Sequence, residues 1–346
     1  MKNFLLSILL VFLLSCPVSA MEFEAPTVPD NASSYMPHDT ESFGKDLWFI
    51  FKSAIHDTKP EISQAVKLCI CVVGIALLCA LLAGINERTK RVSEFIAIIC
   101  ISTSLLQSTD TLINFGTQTV AQIGEYGKLL IPVMTAAMAA QGGVTSSAAL
   151  YTGTSIFSTV LSTAISNLLV PLLYIFLGLC IASNAISENI LTKLRDFTKW
   201  LITWSLKIIL YVFTGYISIT GVVTGSADAS MIKATKLTIT GSVPVVGSIL
   251  SDASETILVS AGMMKNAAGV YGVLAIVALW IGPFLKIGIQ YILLKITAAL
   301  CNVFAAQKTT SLIQDFSTAL GFILAMISTL SLLLTIALVC FMKGVA

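Results

Sequence analysis

Thr318–Phe341 reads TALGFILAMISTLSLLLTIALVCF, an apolar run without one Asp, Glu, Lys or Arg. As an α-helix rising about 1.5 Å per residue, it is long enough to cross the roughly 30 Å hydrocarbon core of a bilayer. Comparable runs lie toward the N-terminus, at about Val66–Gly84, Phe95–Leu106, Leu168–Ala182, Leu201–Val222, Ala267–Leu285 and Ile287–Ala305. The pattern predicts an all-α, polytopic integral membrane protein with about seven transmembrane helices. Composition points the same way. Of 346 residues 56% are hydrophobic and 11% charged, whereas a soluble domain carries about 25% charge to wet its surface. A net charge of +2 is too balanced to suggest a nucleic-acid partner, so membrane lipid is the expected surrounding.

Lys2, the apolar stretch Phe4–Leu14 and the small residues Val18-Ser19-Ala20 predict a signal peptide over 1–20, cleaved before Met21. An uncleaved first span is the competing reading, for which the run is short. Leu13-Leu14-Ser15-Cys16 is lipobox-like, which leaves lipidation of Cys16 as a further reading. Residues 21–62 then form an extracytoplasmic N-terminal segment, and 63–346 a multi-spanning membrane domain. Within the segment, 42–58 reads SFGKDLWFIFKSAIHDT. Leu47, Phe51 and Ile55 recur every four residues, with Lys45, Asp46, Lys52 and Asp57 on the polar side, which predicts an amphipathic helix ended by Pro60. It can lie on the outer membrane surface, dock on a partner, or pack on the protein's own helices.

Basic residues set the orientation. Arg88, Lys90, Arg91, Lys193, Arg195, Lys199, Lys286 and Lys343 all fall in the cytoplasm if there are seven spans and a cytoplasmic C-terminus. Segments 107–150 and 223–266 then face the exterior or dip into the membrane. An internal duplication complicates this count. Pro132 and Pro171 are 39 residues apart, as are Pro244 and Pro283, with an offset of 112 between the pairs. Leu194–Thr198 (LRDFT) also resembles Ile313–Ser317 (IQDFS). A parallel repeat puts both Asp-Phe corners on one side of the membrane. Seven spans put them on opposite sides, and extra crossings near 121–141 and 240–262 raise the count to about ten.

Thr152, Ser155, Thr159, Ser162 and Ser166 share one helical face. They serve close helix packing or a water-lined wall. In the Gly-rich stretch Gly241–Gly272, Pro244, Asp252, Glu255, Lys265 and Asn266 are candidates for channel lining or partner contact. Asp252 as N-cap with Glu255 three residues later is the local structural alternative. Lys207 and Lys295 interrupt apolar runs. Seven of the eight cysteines lie in apolar runs and read as small fillers, and two histidines are too few for a zinc site. No phosphate loop, metalloprotease helix or nucleophile elbow is present. The chain is therefore expected to be no enzyme, with no catalytic or metal-binding residues and no cofactor.

The signal peptide, the span pattern and above all SVPVVGSILSDASETILVSAGMMKNAAGVYG, Ser242–Gly272, resemble the stage III sporulation protein AE family of endospore-forming bacteria. The resemblance covers nearly all of the mature chain. It implies a multi-pass protein of the mother-cell membrane around the forespore, and a subunit of an oligomeric channel or secretion-like complex. The implied partners are other stage III sporulation A proteins, including a separate ATPase subunit, and the forespore's stage II sporulation protein Q across the intermembrane space. It implies no catalytic residues. Two readings from other classes stand beside it: a stand-alone secondary transporter and a membrane scaffold for partner proteins.

Overall fold

Ser and Thr punctuate the sequence after Leu106, yet that stretch is one unbroken helix. The hydroxyls of Thr103, Ser104, Thr111, Thr117, Thr119 and Thr135 each donate to the carbonyl four residues earlier. The polar groups are thereby satisfied within the helix, and the segment stays compatible with an apolar setting. The computed structural model describes residues 26, 28–37, 43–186, 189–242 and 247–343, with the backbone alone for 30–31, 87–88, 220–242 and 247–265. Along these residues run α1 (Asp30–Ser33), α2 (Phe43–Asp57), α3 (Lys59–Ala83), α4 (Glu87–Ala140), α5 (Val144–Ala164), a π-helical turn (Ile165–Leu169), α6 (Val170–Ile186), α7 (Asn189–Ser242), α8 (Gly247–Cys301) and α9 (Gln307–Lys343). Among the described residues there is no strand. The signal peptide, Cys16 and Pro244 lie outside the described residues.

The ends of these helices have local causes. Asn86 caps α4 by accepting from Thr89 N–H at 2.8 Å. At its far end Gly142 adopts φ 92°, and the N–H groups of Gly142 and Gly143 bond the carbonyls of Ala139 and Met138. This pairing satisfies the last carbonyls of α4 and reverses the chain, and only glycine takes that φ without strain. Pro171 lacks an N–H, and the π turn immediately before it absorbs the irregularity. α5, the π turn and α6 therefore act as one rod. Pro60 lies in the first turn of α3 rather than after a gap, so Thr58 alone separates α2 from α3.

Among the described residues six rods are long and apolar enough to cross a membrane: α3, α4, α5–α6, α7, α8 and α9. That is one fewer than the seven expected, and the reason is specific. Ala267–Leu285 and Ile287–Ala305 were expected as two spans joined by Lys286 as a cytoplasmic connector. They are one helix, α8, which runs straight through Pro283 and Lys286. A lone lysine with no turn residues beside it does not reverse a helix. Its charge is paired within the protein by Glu61.

Gly116 faces Ile323 and Gly127 faces Leu334, so α4 and α9 run parallel. Gly269 faces Met342 and Gly272 faces Leu338, so α8 runs antiparallel to α9. α8 and α9 are the most buried rods, and α3 and α7 lie at the periphery. The rods alternate in direction. The junctions after Ala83, Ile186 and Cys301 therefore share one end of the molecule, and the junctions after Ala140 and Ser242 share the other. The first end carries Arg88, Lys90, Arg91, Lys193, Arg195, Lys199 and Lys308, which marks it as cytoplasmic. The expected cytoplasmic C-terminus is corrected with the count: Lys343 ends α9 at the opposite end.

Both Asp-Phe corners now lie at the cytoplasmic end, as a parallel repeat requires. Of the four prolines that suggested it, Pro132 lies inside α4 and Pro283 inside α8.

Candidate functional site

Membrane-spanning helices give up little free energy by exposing apolar side chains to lipid, but a charged group among them needs a partner or water. Two interhelical ion pairs meet this need among the described residues. The first lines a cavity of ≈ 400 Å³ between α3, α4 and α8. Lys286 Nζ donates to Glu61 Oε1 at 2.7 Å, with both side chains about one-third exposed. The same ammonium lies 5.0 Å from the centre of the Phe115 ring. Gln64, Gln107, Ser108 and Gln290 add polar surface to the cavity. Gln290 is buried and its Nε2 has no hydrogen-bond partner. An orphaned amide facing a polar cavity of this size is a place for water or a small polar solute. Along α4 Asp110 accepts from Tyr174 Oη at 2.7 Å and from Asn114 Nδ2 at 3.2 Å.

The second cluster ties α6, α7 and α9 together near the cytoplasmic end. Arg195 Nη1 donates to Asp315 Oδ2 at 3.0 Å, and Asn184 Nδ2 donates to the same oxygen at 3.1 Å. Arg195 Nη2 also donates to Asp196 Oδ1 at 3.1 Å. The two Asp-Phe corners expected to be related by repetition thus meet through one arginine. This cluster is mostly buried and well paired, a clamp with little room for a ligand.

The hydroxyl stripe is real but flanks the molecule. Thr152, Thr159 and Ser166 are exposed and Ser155 and Ser162 half-buried, while Gly153, Thr154, Ser158 and Leu161 form the buried face of α5. Thr152 Oγ1 donates to Ala148 O at 2.8 Å. Ser155 and Thr159 meet Lys128 and Pro132 of α4 around a cavity of ≈ 90 Å³. Asn266 is exposed on α8. The side chains of Asp252, Glu255 and Lys265 lie outside the described residues, as does Pro244. The backbone alone corrects one expectation: α8 begins at Gly247, so Asp252 stands inside the helix and is not its N-cap. The small residues of Gly247–Ser251 carry no breaker after Gly247, and the helix starts earlier for that reason.

Glu61 and Lys286 were not expected as a pair. Glu61 belongs to the N-terminal segment by sequence, and Lys286 to a connector, 225 positions away. α2 packs on α8 through Asp46, Ile50 and Ala54, leaving Trp48, Phe51 and Ile55 exposed, so Asp46 is buried and not on the polar side where the periodicity placed it. Tyr35 covers Gly282, and burial together with Asp57 pushes its phenol above the usual range. Among the described residues no three His, Cys, Asp or Glu side chains come together as a metal site.

Against this architecture, the family model for stage III sporulation protein AE matches residues 36–344. The chain belongs to that family. The matched region contains all six membrane-length rods and both charge clusters. A curated member, stage III sporulation protein AE of Bacillus subtilis (strain 168), is 22% identical over 305 residues, covering 86% of this chain and 75% of the relative. No solved structure matches. Membership of a sporulation family and a multi-pass membrane architecture therefore stand together.

Proposed function

We propose that the chain is a non-enzymatic subunit of a channel or secretion-like complex in the mother-cell membrane, joining mother cell and forespore and sustaining forespore development. Its partners are the other stage III sporulation A proteins, among them a separate ATPase subunit, and stage II sporulation protein Q presented by the forespore across the intermembrane space. The observation that carries this reading is the family match over residues 36–344, which takes in every membrane-length rod. Two features of the fold support it. α4, α7 and α8, at 54, 54 and 55 residues, are each about 80 Å long and exceed the roughly 30 Å hydrocarbon core more than twofold. Such rods reach well beyond one face of the membrane, where a partner can be met. The Glu61–Lys286 cavity supplies a polar lining among apolar helices.

The test is made in sporulating cells. A tagged copy replaces the native chain, and detergent extracts are searched for the A-complex proteins. Recovery of the ATPase subunit and its companions is expected. Sporulation at normal frequency after deletion of the chain would overturn the reading. Replacing Asp252, Glu255 and Lys265 together, with membrane levels held equal, asks whether that segment takes part. Normal sporulation would remove those residues from the mechanism.

A stand-alone secondary transporter is the second reading, favoured by the embedded ion pair and the tandem hairpins α4–α6 and α7–α8. Purified chain in liposomes separates the two. Gradient-driven uptake of a defined solute without any partner would support the transporter.

A further inference from the structure

On the other side of α8 from the Glu61–Lys286 cavity, a cleft of ≈ 360 Å³ lies among α7, α8 and α9. Lys207 of α7 and Lys295 of α8 both line it, and its lining includes no carboxylate. The carboxylates closest in sequence, Asp196 and Asp315, are held by Arg195. Neither lysine forms an ion pair among the described residues. Lys295 Nζ rests 4.7 Å from the centre of the Tyr291 ring. The threonine hydroxyls that border the cleft have spent their protons on their own helices: Thr203 on Lys199 O, Thr318 on Gln314 O and Thr329 on Ala325 O. The two ammonium groups are the only cations in the lining, Tyr291 adds one phenol, and Leu206, Leu210, Phe322 and Ala325 make the rest of the wall apolar.

Depth fits the same chemistry. Phe197, Trp200 and Trp204 form an exposed ladder on α7 with ring centres 5.9 Å apart at each step. Together with Lys193 and Lys199, such a ladder marks the cytoplasmic headgroup zone. Lys207 stands one turn beyond Trp204. Lys295 is six residues short of the cytoplasmic end of α8, about 9 Å along the axis. Lysines at this depth hold phosphate at the acyl boundary, and basic clefts between membrane helices on the cytoplasmic side suit acidic headgroups.

We propose that this cleft binds one anionic phospholipid of the cytoplasmic leaflet, with the phosphate between Lys207 and Lys295 and an acyl chain along Leu210, Phe322 and Ala325. Because the cleft offers two cations and no carboxylate, recognition is by charge, and headgroups of the same charge are accepted alike. The inference needs the membrane orientation of α7 and α8 and is independent of the channel reading.

The test uses the full chain purified in a mild detergent and loaded with dioleoylphosphatidylglycerol or dioleoylphosphatidylcholine, with retained lipid counted by native mass spectrometry. Retention of one phosphatidylglycerol, and not phosphatidylcholine, is expected. The Lys207→Gln/Lys295→Gln pair should weaken retention about thirty-fold, and the Lys207→Arg/Lys295→Arg pair should keep it. Lys128→Gln, whose lysine pairs with Glu125 away from the cleft, should leave it unchanged. Equal retention of both lipids, or full retention by the glutamine pair, would overturn the proposal. So would displacement of the lipid by millimolar inorganic phosphate, which would make the site one for a soluble anion. A second measurement needs no variant. Phosphatidylglycerol with a photoreactive acyl chain should crosslink wild-type peptides containing Leu210 or Phe322, and crosslinks spread evenly over all rods would refute a defined site.

Discussion

At the scale of single residues, the clamp at Asp315 is the most exacting contact. Its carboxylate receives Arg195 and Asn184 at once, and both members of the ion pair are largely buried. Removing only the cation leaves a buried charge without its partner, a loss of about 3 kcal/mol. Arg195→Ala is therefore expected to lower the unfolding midpoint in detergent substantially. The double variant Arg195→Met/Asp315→Leu should recover most of the loss, because an apolar pair of similar volume avoids the desolvation problem. Equal destabilisation by single and double variants would show that the pair itself supplies net stability. Glycines give a cleaner contrast. A Cβ at Gly153 would lie 2.0 Å from the Tyr216 ring, which is anchored by its hydroxyl donating to Ala149 O. Gly153→Ala should cost about 2 kcal/mol by overpacking. A Cβ at Gly178 meets nothing within 4 Å, so Gly178→Ala should be neutral or stabilising, since alanine is the better helix former. Thermal unfolding of the two variants side by side decides it. The glycines themselves are plain in the sequence, but which of them lies under a ring is not.

Among the elements, α2 shows how a periodicity can be right and its use incomplete. The four-residue recurrence of Leu47, Phe51 and Ile55 marks a real amphipathic helix. The face that docks on α8 is the neighbouring one, Asp46, Ile50 and Ala54. Ala54 is fully buried because only a small side chain lets two helices approach there. Hydropathy undervalues it for the same reason. Ala54→Asp should release α2, read as faster protease cleavage within 43–57, while Trp48→Ala, on the exposed face, should leave cleavage unchanged. Comparable cleavage of both variants would refute the assignment of faces. α8 carries the reverse lesson. Pro283 and Lys286 look like punctuation, and the helix passes through both because Glu61 arrives from α3 to neutralise the lysine.

For the molecule as a whole, alternation of six rods puts the junctions at 84–86 and 302–306 on one side of the membrane, and 141–143 with the C-terminal end of α9 on the other. Single cysteines in a cysteine-free background make this measurable. Asn86→Cys and Val303→Cys should react with a membrane-impermeant thiol reagent only from the cytoplasmic side, and Gln141→Cys only from the outside. Labelling of positions 86 and 303 from opposite sides would restore the seven-span count and dissolve the six-rod topology. Sequence alone determined the solvent: long apolar runs with 11% charge require a bilayer, because hydropathy adds up locally and needs no knowledge of contacts. It also determined the helical class, the basic junctions and the family. Only the tertiary structure decided the number of rods, the side of the C-terminus and the polar cavity. Each of those depends on charges meeting across the fold, Glu61 with Lys286 and Arg195 with Asp315, at separations of 225 and 120 residues. A charge reads as a turn or a connector until its partner is known, and partners so distant are brought together by packing rather than by any local pattern.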